Sequence, residues 1–149
     1  MTREETTAQR QLEALAGDER GRMLLQLALR GIQTSGRGVT IGCWVKPDGG
    51  VSGCVFQHAY WQGVTEGVFA TTSAADTSIK GLVDERDFHL VMEAIRALDS
   101  LGKRRFLRRR GFLRELDATA WRDTVERLLV DALAESSPAL EHQTVSTSV

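Results

Sequence analysis

The chain has 149 residues, 19 of them basic and 20 acidic, a net charge of −1. This length and a composition of 42% hydrophobic and 26% charged residues fit one globular domain. No run of about 18 apolar residues exists to form a membrane-spanning helix, and Met1 to Arg10 lacks the apolar run of a secretory signal, so a cytoplasmic protein is expected.

The first segment reads as helix, with Leu12 and Leu15 apolar at helical spacing and Gly17 as a stop. Asp18 is placed to cap a second helix. From Glu19 onward Met23, Leu24, Leu27, Ala28 and Ile32 form one apolar stripe, with Arg22, Gln26 and Arg30 on the other side. The run Thr34-Ser35-Gly36-Arg37-Gly38 ends it.

The period then changes to two. Val39, Ile41, Cys43 and Val45 alternate with Thr40, Gly42, Trp44 and Lys46. Lys46-Pro47-Asp48-Gly49 predicts a type I turn closing with a bulge, and Val51 to Gln57 is expected to return as the second strand. That turn pairs Lys46 with Gly50. It puts Val39, Ile41, Cys43, Val45, Val51 and Val55 on one apolar face, whereas a slip of one residue would mix Ser52 and His58 into it. Cys43 then faces the core and Cys54 the opposite, more accessible side, so no disulfide between them is expected. Gly63 to Thr71 predicts a third antiparallel strand, with Val64, Val68 and Phe69 as its apolar content.

From Asp84 the helical period returns. Phe88, Val91, Met92, Ile95 and Leu98 make a stripe that Asp84 or Asp87 can cap and that Ser100-Leu101-Gly102 breaks. Trp121, Val125, Leu128, Leu129, Ala132 and Leu133 make the last one, begun by Asp117 or Thr119 and stopped by Ser136-Ser137-Pro138. The prediction is a single α+β domain over residues 1–135. It has N-terminal helices, a three-stranded antiparallel β-meander, and C-terminal helices packed on one sheet face. The Ser- and Thr-rich stretch 136–149 is expected to be a disordered tail.

Seven of the twelve residues from Lys103 to Arg114 are basic and none is acidic: Lys103, Arg104, Arg105, Arg108, Arg109, Arg110 and Arg114. The rest of the chain holds 12 basic against 20 acidic residues, a body of about −8. Such an asymmetry points to an anionic partner. An amphipathic helix followed by a glycine turn and a basic segment has loosely the outline of a helix-turn-helix, and the basic segment reads as helix. It holds no Asn, Gln, Ser or Thr to read base edges, so contact with a phosphate backbone is expected rather than base recognition. Phe106, Leu107, Phe112 and Leu113 are interleaved with the cations and are expected to bury.

Other chemistries find less support. Ten residues lie between Cys43 and Cys54, too many for the short pair common in structural zinc sites, and no metal or cofactor is expected. On one strand Cys54 and His58 would stand about 13 Å apart, beyond reach of each other as nucleophile and base. His89 reads as a polar first-turn residue. There is no phosphate loop, no Gly-x-Ser-x-Gly, no His-Glu-x-x-His and no EF-hand loop, which points away from an enzyme. Cys54, His58, Tyr60 and Trp61 remain as a candidate pocket on the strand face. The favoured reading is a small non-enzymatic regulatory or adaptor protein. It would dock nucleic acid or an acidic protein surface through residues 103–114, and a homo-oligomer is compatible with it. The alternative is a small enzyme or ligand-binding domain using the Cys54, His58, Tyr60 and Trp61 face.

Overall fold

The computed structural model describes residues 1–41, 52–69, 83 and 85–148, with side chains described as far as Glu135. Helix α1 spans Arg3–Ala16, and the Thr2 hydroxyl caps it by accepting from the Glu5 amide at 3.1 Å. Helix α2 spans Glu19–Thr34. It starts where the sequence places it: the Asp18 carboxylate accepts from the Gly21 amide at 3.0 Å, satisfying one of the donors that a helix start leaves unpaired. Its stripe of Leu24, Leu27, Ala28 and Ile32 is fully buried.

The expected three-stranded antiparallel meander is replaced by something else. Strands β1, Gly38–Val39, and β2, Ser52–Gly53, run parallel, with Gly38 opposite Ser52 and Val39 opposite Gly53. A hairpin cannot give that direction. Cys43, the Pro47-Asp48-Gly49 turn and the Lys46–Gly50 pairing lie outside the described residues. Directly after β2 comes helix α3, Val55–Thr65, over residues read as the end of the second strand, a corner and the start of a third strand. Phe56, Ala59, Tyr60, Gly63 and Val64 do recur at i, i+3, i+4, i+7 and i+8, but Val55, Gln57 and His58, which lie off that stripe, are buried as well. A helix bonds its backbone internally, so it can be covered on every side, which a strand with only one short neighbour cannot.

Helix α3 lies against α2. Gly31 permits the approach: a Cβ there would stand 2.9 Å from the His58 carbonyl oxygen. Arg30 fastens the pair from outside, donating through Nε and Nη2 to both carboxylate oxygens of Glu66 at 2.8 Å. Cys54, expected on the accessible face, precedes α3 and is buried at 7% exposure.

Helix α4 spans Glu85–Arg105 and passes through the expected break at Ser100-Leu101-Gly102. Packing overrides the glycine, which costs a helix roughly 1 kcal/mol, because Leu101 is fully buried and Gly102 admits the Ile41 side chain. Asp87 sits inside its first turn, buried, 3.8 Å from the Arg86 guanidinium, rather than at the cap. Ile95 is only partly buried, while Val91, Ala94 and Leu98 hold the core.

The basic segment is not a helix. After Phe106, strand β3, Leu107–Arg110, turns back on β4, Leu113–Leu116, as an antiparallel hairpin. Helix α5, Ala118–Ser148, follows, with the Asp117 carboxylate accepting from the Ala120 amide at 3.3 Å. Its backbone stays helical past Pro138, and the tail expected at 136–149 falls where no side chains are described. Trp121, Val125, Leu128, Leu129 and Ala132 are buried along it, as their spacing predicts.

Helices α4 and α5 both pack on α1, and α2 packs on α3 and α5. Arg122 of α5 donates to the Ile32 carbonyl at 2.9 Å, satisfying an acceptor near the end of α2. The described residues thus form an α+β arrangement dominated by five helices, with two sheets of two strands each. No helix among them is long and apolar enough to cross a membrane.

Candidate functional site

The turn at the hairpin tip sets the geometry of the basic segment. Arg110 pairs with Leu113, leaving Gly111 and Phe112 as a two-residue loop. Gly111 has φ +60° and Phe112 a negative φ, the pattern of a type II′ turn, which matches the twist of the strands it joins. The register then runs Arg109 opposite Arg114, Arg108 opposite Glu115 and Leu107 opposite Leu116. Residues directly opposite share a face. One face therefore carries Leu107, Leu116, Arg109 and Arg114, and the other carries Arg108, Arg110, Leu113 and Glu115.

The root of the hairpin is anchored. Leu107 and Leu116 are partly buried against the core, and the Phe106 ring lies 5.3 Å from that of Trp121. The Asp117 amide donates to the Phe106 carbonyl at 2.8 Å, closing the base. The tip is not anchored. Phe112 is 109% exposed and Leu113 75%, so two of the four apolar residues expected to bury instead stand in solvent.

The seven cations divide by what holds them. Lys103, Arg104 and Arg105 occupy the last turn of α4, where positive charge complements the carbonyl end of the helix dipole. Arg104 also reaches Glu4 at 3.7 Å. Arg108 pairs with Asp117 at 3.2 Å and Arg110 with Glu115 at 3.3 Å. Exposed pairs of this kind are worth about 0–1 kcal/mol and exchange readily for another anion. Arg109 and Arg114 form no ion pair among the described residues. Like charges directly opposite each other weaken a sheet, so no local structural benefit accounts for this pair. A groove of about 420 Å³ flanks the hairpin, lined by Arg108, Arg109 and Arg110, by the carboxylates Glu115 and Asp117 that pair with two of them, and by the first residues of α5.

The second candidate, the Cys54, His58, Tyr60 and Trp61 face, is divided by the helix that carries it. His58 and Trp61 come together, ring centroids 5.4 Å apart and edge to face, and the Arg37 guanidinium lies 4.1 Å from the Trp61 centroid. They border a depression of about 290 Å³ with Thr34, Ser35 and Gln62. Tyr60 stacks with Phe69 at 6.4 Å instead. Cys54 lines a separate cavity of about 10 Å³ among Thr40, Phe56, Leu98 and Trp121, roughly the space of one water. Cys54 and His58 are four apart in the first turn of a helix, not 13 Å apart on a strand, and the His58 amide donates to the Cys54 carbonyl at 3.1 Å.

His58 is fully buried, and its Nε2 lies 2.8 Å from the Gly38 carbonyl oxygen. That acceptor requires a proton on Nε2, leaving Nδ1 as the bare nitrogen of a neutral ring. Burial pushes the imidazole pKa below its ordinary value; the bond to Gly38 opposes this, and the charges of Arg37 and Arg122 add to it. The ring ties β1 to α3. His89 is exposed on α4. Among the described residues no group of three or more His, Cys, Asp or Glu side chains converges as metal ligands would.

Sequence reasoning named the seven cations and missed Phe112 and Leu113 as part of the same surface. Gly111 followed by Phe112, between Leu107 and Leu116, was the available signal for a tight turn with an outward tip. No family model matches the chain, nor does any curated protein or solved structure.

Proposed function

We propose that this chain is a non-enzymatic docking protein, of a regulatory or adaptor kind, that grips nucleic acid through its basic hairpin. The observation that carries the reading is the opposition of Arg109 and Arg114 on an exposed face with no carboxylate paired to either among the described residues. A phosphate group between two guanidinium forks would turn that repulsion into attraction. Cations lie on both faces of the ribbon and along its length, which suits a partner with charge on two sides, such as the phosphate walls of a groove. Six of the seven are arginine, the side chain that meets phosphate with two parallel donors. The acidic body behind them favours a contact confined to the projecting hairpin.

Fluorescence anisotropy with a labelled DNA duplex, titrated with salt, tests this. About four or five phosphate contacts give a slope of log K against log salt of roughly −4. The double change Arg109→Ala and Arg114→Ala should shallow the slope by up to about two, and equally for all sequences, since phosphate contacts position without specifying. No binding at about 50 mM salt, where such contacts are strongest, would overturn the reading and leave an acidic protein surface as the partner.

A further inference from the structure

The apolar tip has no explanation in charge. Resting on the reading above, we propose that Phe112 and Leu113 enter the major groove of duplex DNA and contact the 5-methyl groups of thymine there.

The dimensions fit. The major groove is about 12 Å wide and 8.5 Å deep and admits a two-stranded ribbon, whose strands lie about 4.8 Å apart; the minor groove, about 6 Å wide, does not without being opened. Counting back from the turn at about 3.4 Å per residue, the Arg109 and Arg114 pair stands about 7 Å behind the tip. With the tip on the groove floor, those two arginines are level with the rim, where the phosphates are. Beside Arg110, which is opposite Leu113 and drawn back toward Glu115 at 3.3 Å, the tip presents to the floor a phenyl ring and an isobutyl group, both exposed and neither able to hydrogen-bond. The one feature of the floor that such groups can recognise is the thymine methyl. The arginines thus supply affinity and the tip supplies a preference, in a segment that holds no base-reading amide.

A flat anionic bilayer is the other surface that could take an apolar tip with a basic collar. It would meet the hairpin end-on. The four-residue strands would then hold Lys103, Arg104 and Arg105 about 14 Å or more from it, well beyond the screening length of about 8 Å at physiological salt. In a groove about 8.5 Å deep the phosphates stand instead at the level of Arg109 and Arg114, and Lys103, Arg104 and Arg105 lie roughly 6 Å beyond the rim, within that screening length.

The test uses the full chain and three duplexes of one thymine-rich sequence: thymine throughout, uracil in place of thymine, and uracil with 5-methylcytosine in place of cytosine. Losing the methyls should weaken binding about fourfold for each one contacted, the factor expected for one buried methyl-sized group. Restoring methyls on cytosine should recover part of the loss. The double change Phe112→Ser and Leu113→Ser should abolish the difference between thymine and uracil while leaving the salt slope intact. Both side chains lie in solvent, so an unchanged thermal melt is expected and checks that the fold is retained. Equal affinity for thymine and uracil duplexes, with steep salt dependence, would overturn the tip contact and leave the docking reading standing. No binding to any duplex would overturn both. So would binding to phosphatidylserine vesicles, but not to DNA, that is lost with Phe112.

Discussion

Arg109 and Arg114 stand directly opposite each other on one face of the hairpin, and neither forms an ion pair among the described residues. The arrangement opposes two goals in one place. For the hairpin alone, the better residue at position 114 is an acid.

The change Arg114→Glu should therefore separate stability from binding. It replaces a repulsive cross-strand pair with an attractive one, worth about 0.2–1 kcal/mol to the hairpin. The urea unfolding midpoint should rise or hold, while affinity for a DNA duplex falls more steeply than for Arg114→Ala. A parallel loss of both would mean that Arg114 supports the fold in a way its exposure does not suggest.

Leu128 is fully buried in α5, whose core face packs against α1 and α2. Leu128→Ala should destabilise the protein by about 2–5 kcal/mol through lost burial and the cavity left behind. Chemical denaturation reads this directly. Little change in midpoint would show that the neighbouring helices close over the gap.

His58 makes stability depend on pH. Burial lowers its pKa in the folded protein, while in the unfolded chain it titrates near about 6.5. Below that value the unfolded state binds a proton that the folded state refuses. Stability is thus fully present above about pH 6.5 and declines as pH falls toward the depressed folded value. Melting temperatures at about pH 7.5 and pH 5 should differ for the wild type, and the difference should shrink in His58→Gln, whose amide donor can still meet the Gly38 carbonyl. An equal pH response in both proteins would assign the effect to other groups.

Helix α2 was readable because two signals agree there: Asp18 at the cap and a stripe with a polar opposite side. The stripe of Trp121, Val125, Leu128 and Leu129 in α5 was readable for the same reason. Helix α3 was not. Phe56, Ala59, Tyr60, Gly63 and Val64 recur at helical spacing, but polar Gln57 and His58 off that stripe are buried too, so burial here does not follow polarity, and the alternation leading into Val55 fits a strand. The parallel pairing of Gly38 with Ser52 joins segments 14 residues apart, and β1 also packs on α5, contacts that local pattern does not carry. At the site, composition revealed the cations but not their arrangement. A basic strand of Leu107 to Arg110 shows no apolar alternation, and its register follows from the turn at Gly111 alone. The exposure of Phe112 and Leu113 depends on the same turn.

The hairpin also has a mechanical consequence. One residue, Phe106, separates β3 from α4, and one residue, Asp117, separates β4 from α5. These two long helices lie on α1, so the finger is clamped at both legs and has no linker on which to swing. Its direction is fixed before any encounter, and little freedom is left to lose when the tip is engaged. Load on the tip passes into the body at the root, through Phe106 against Trp121 and through the legs into α4 and α5, which both lie on α1.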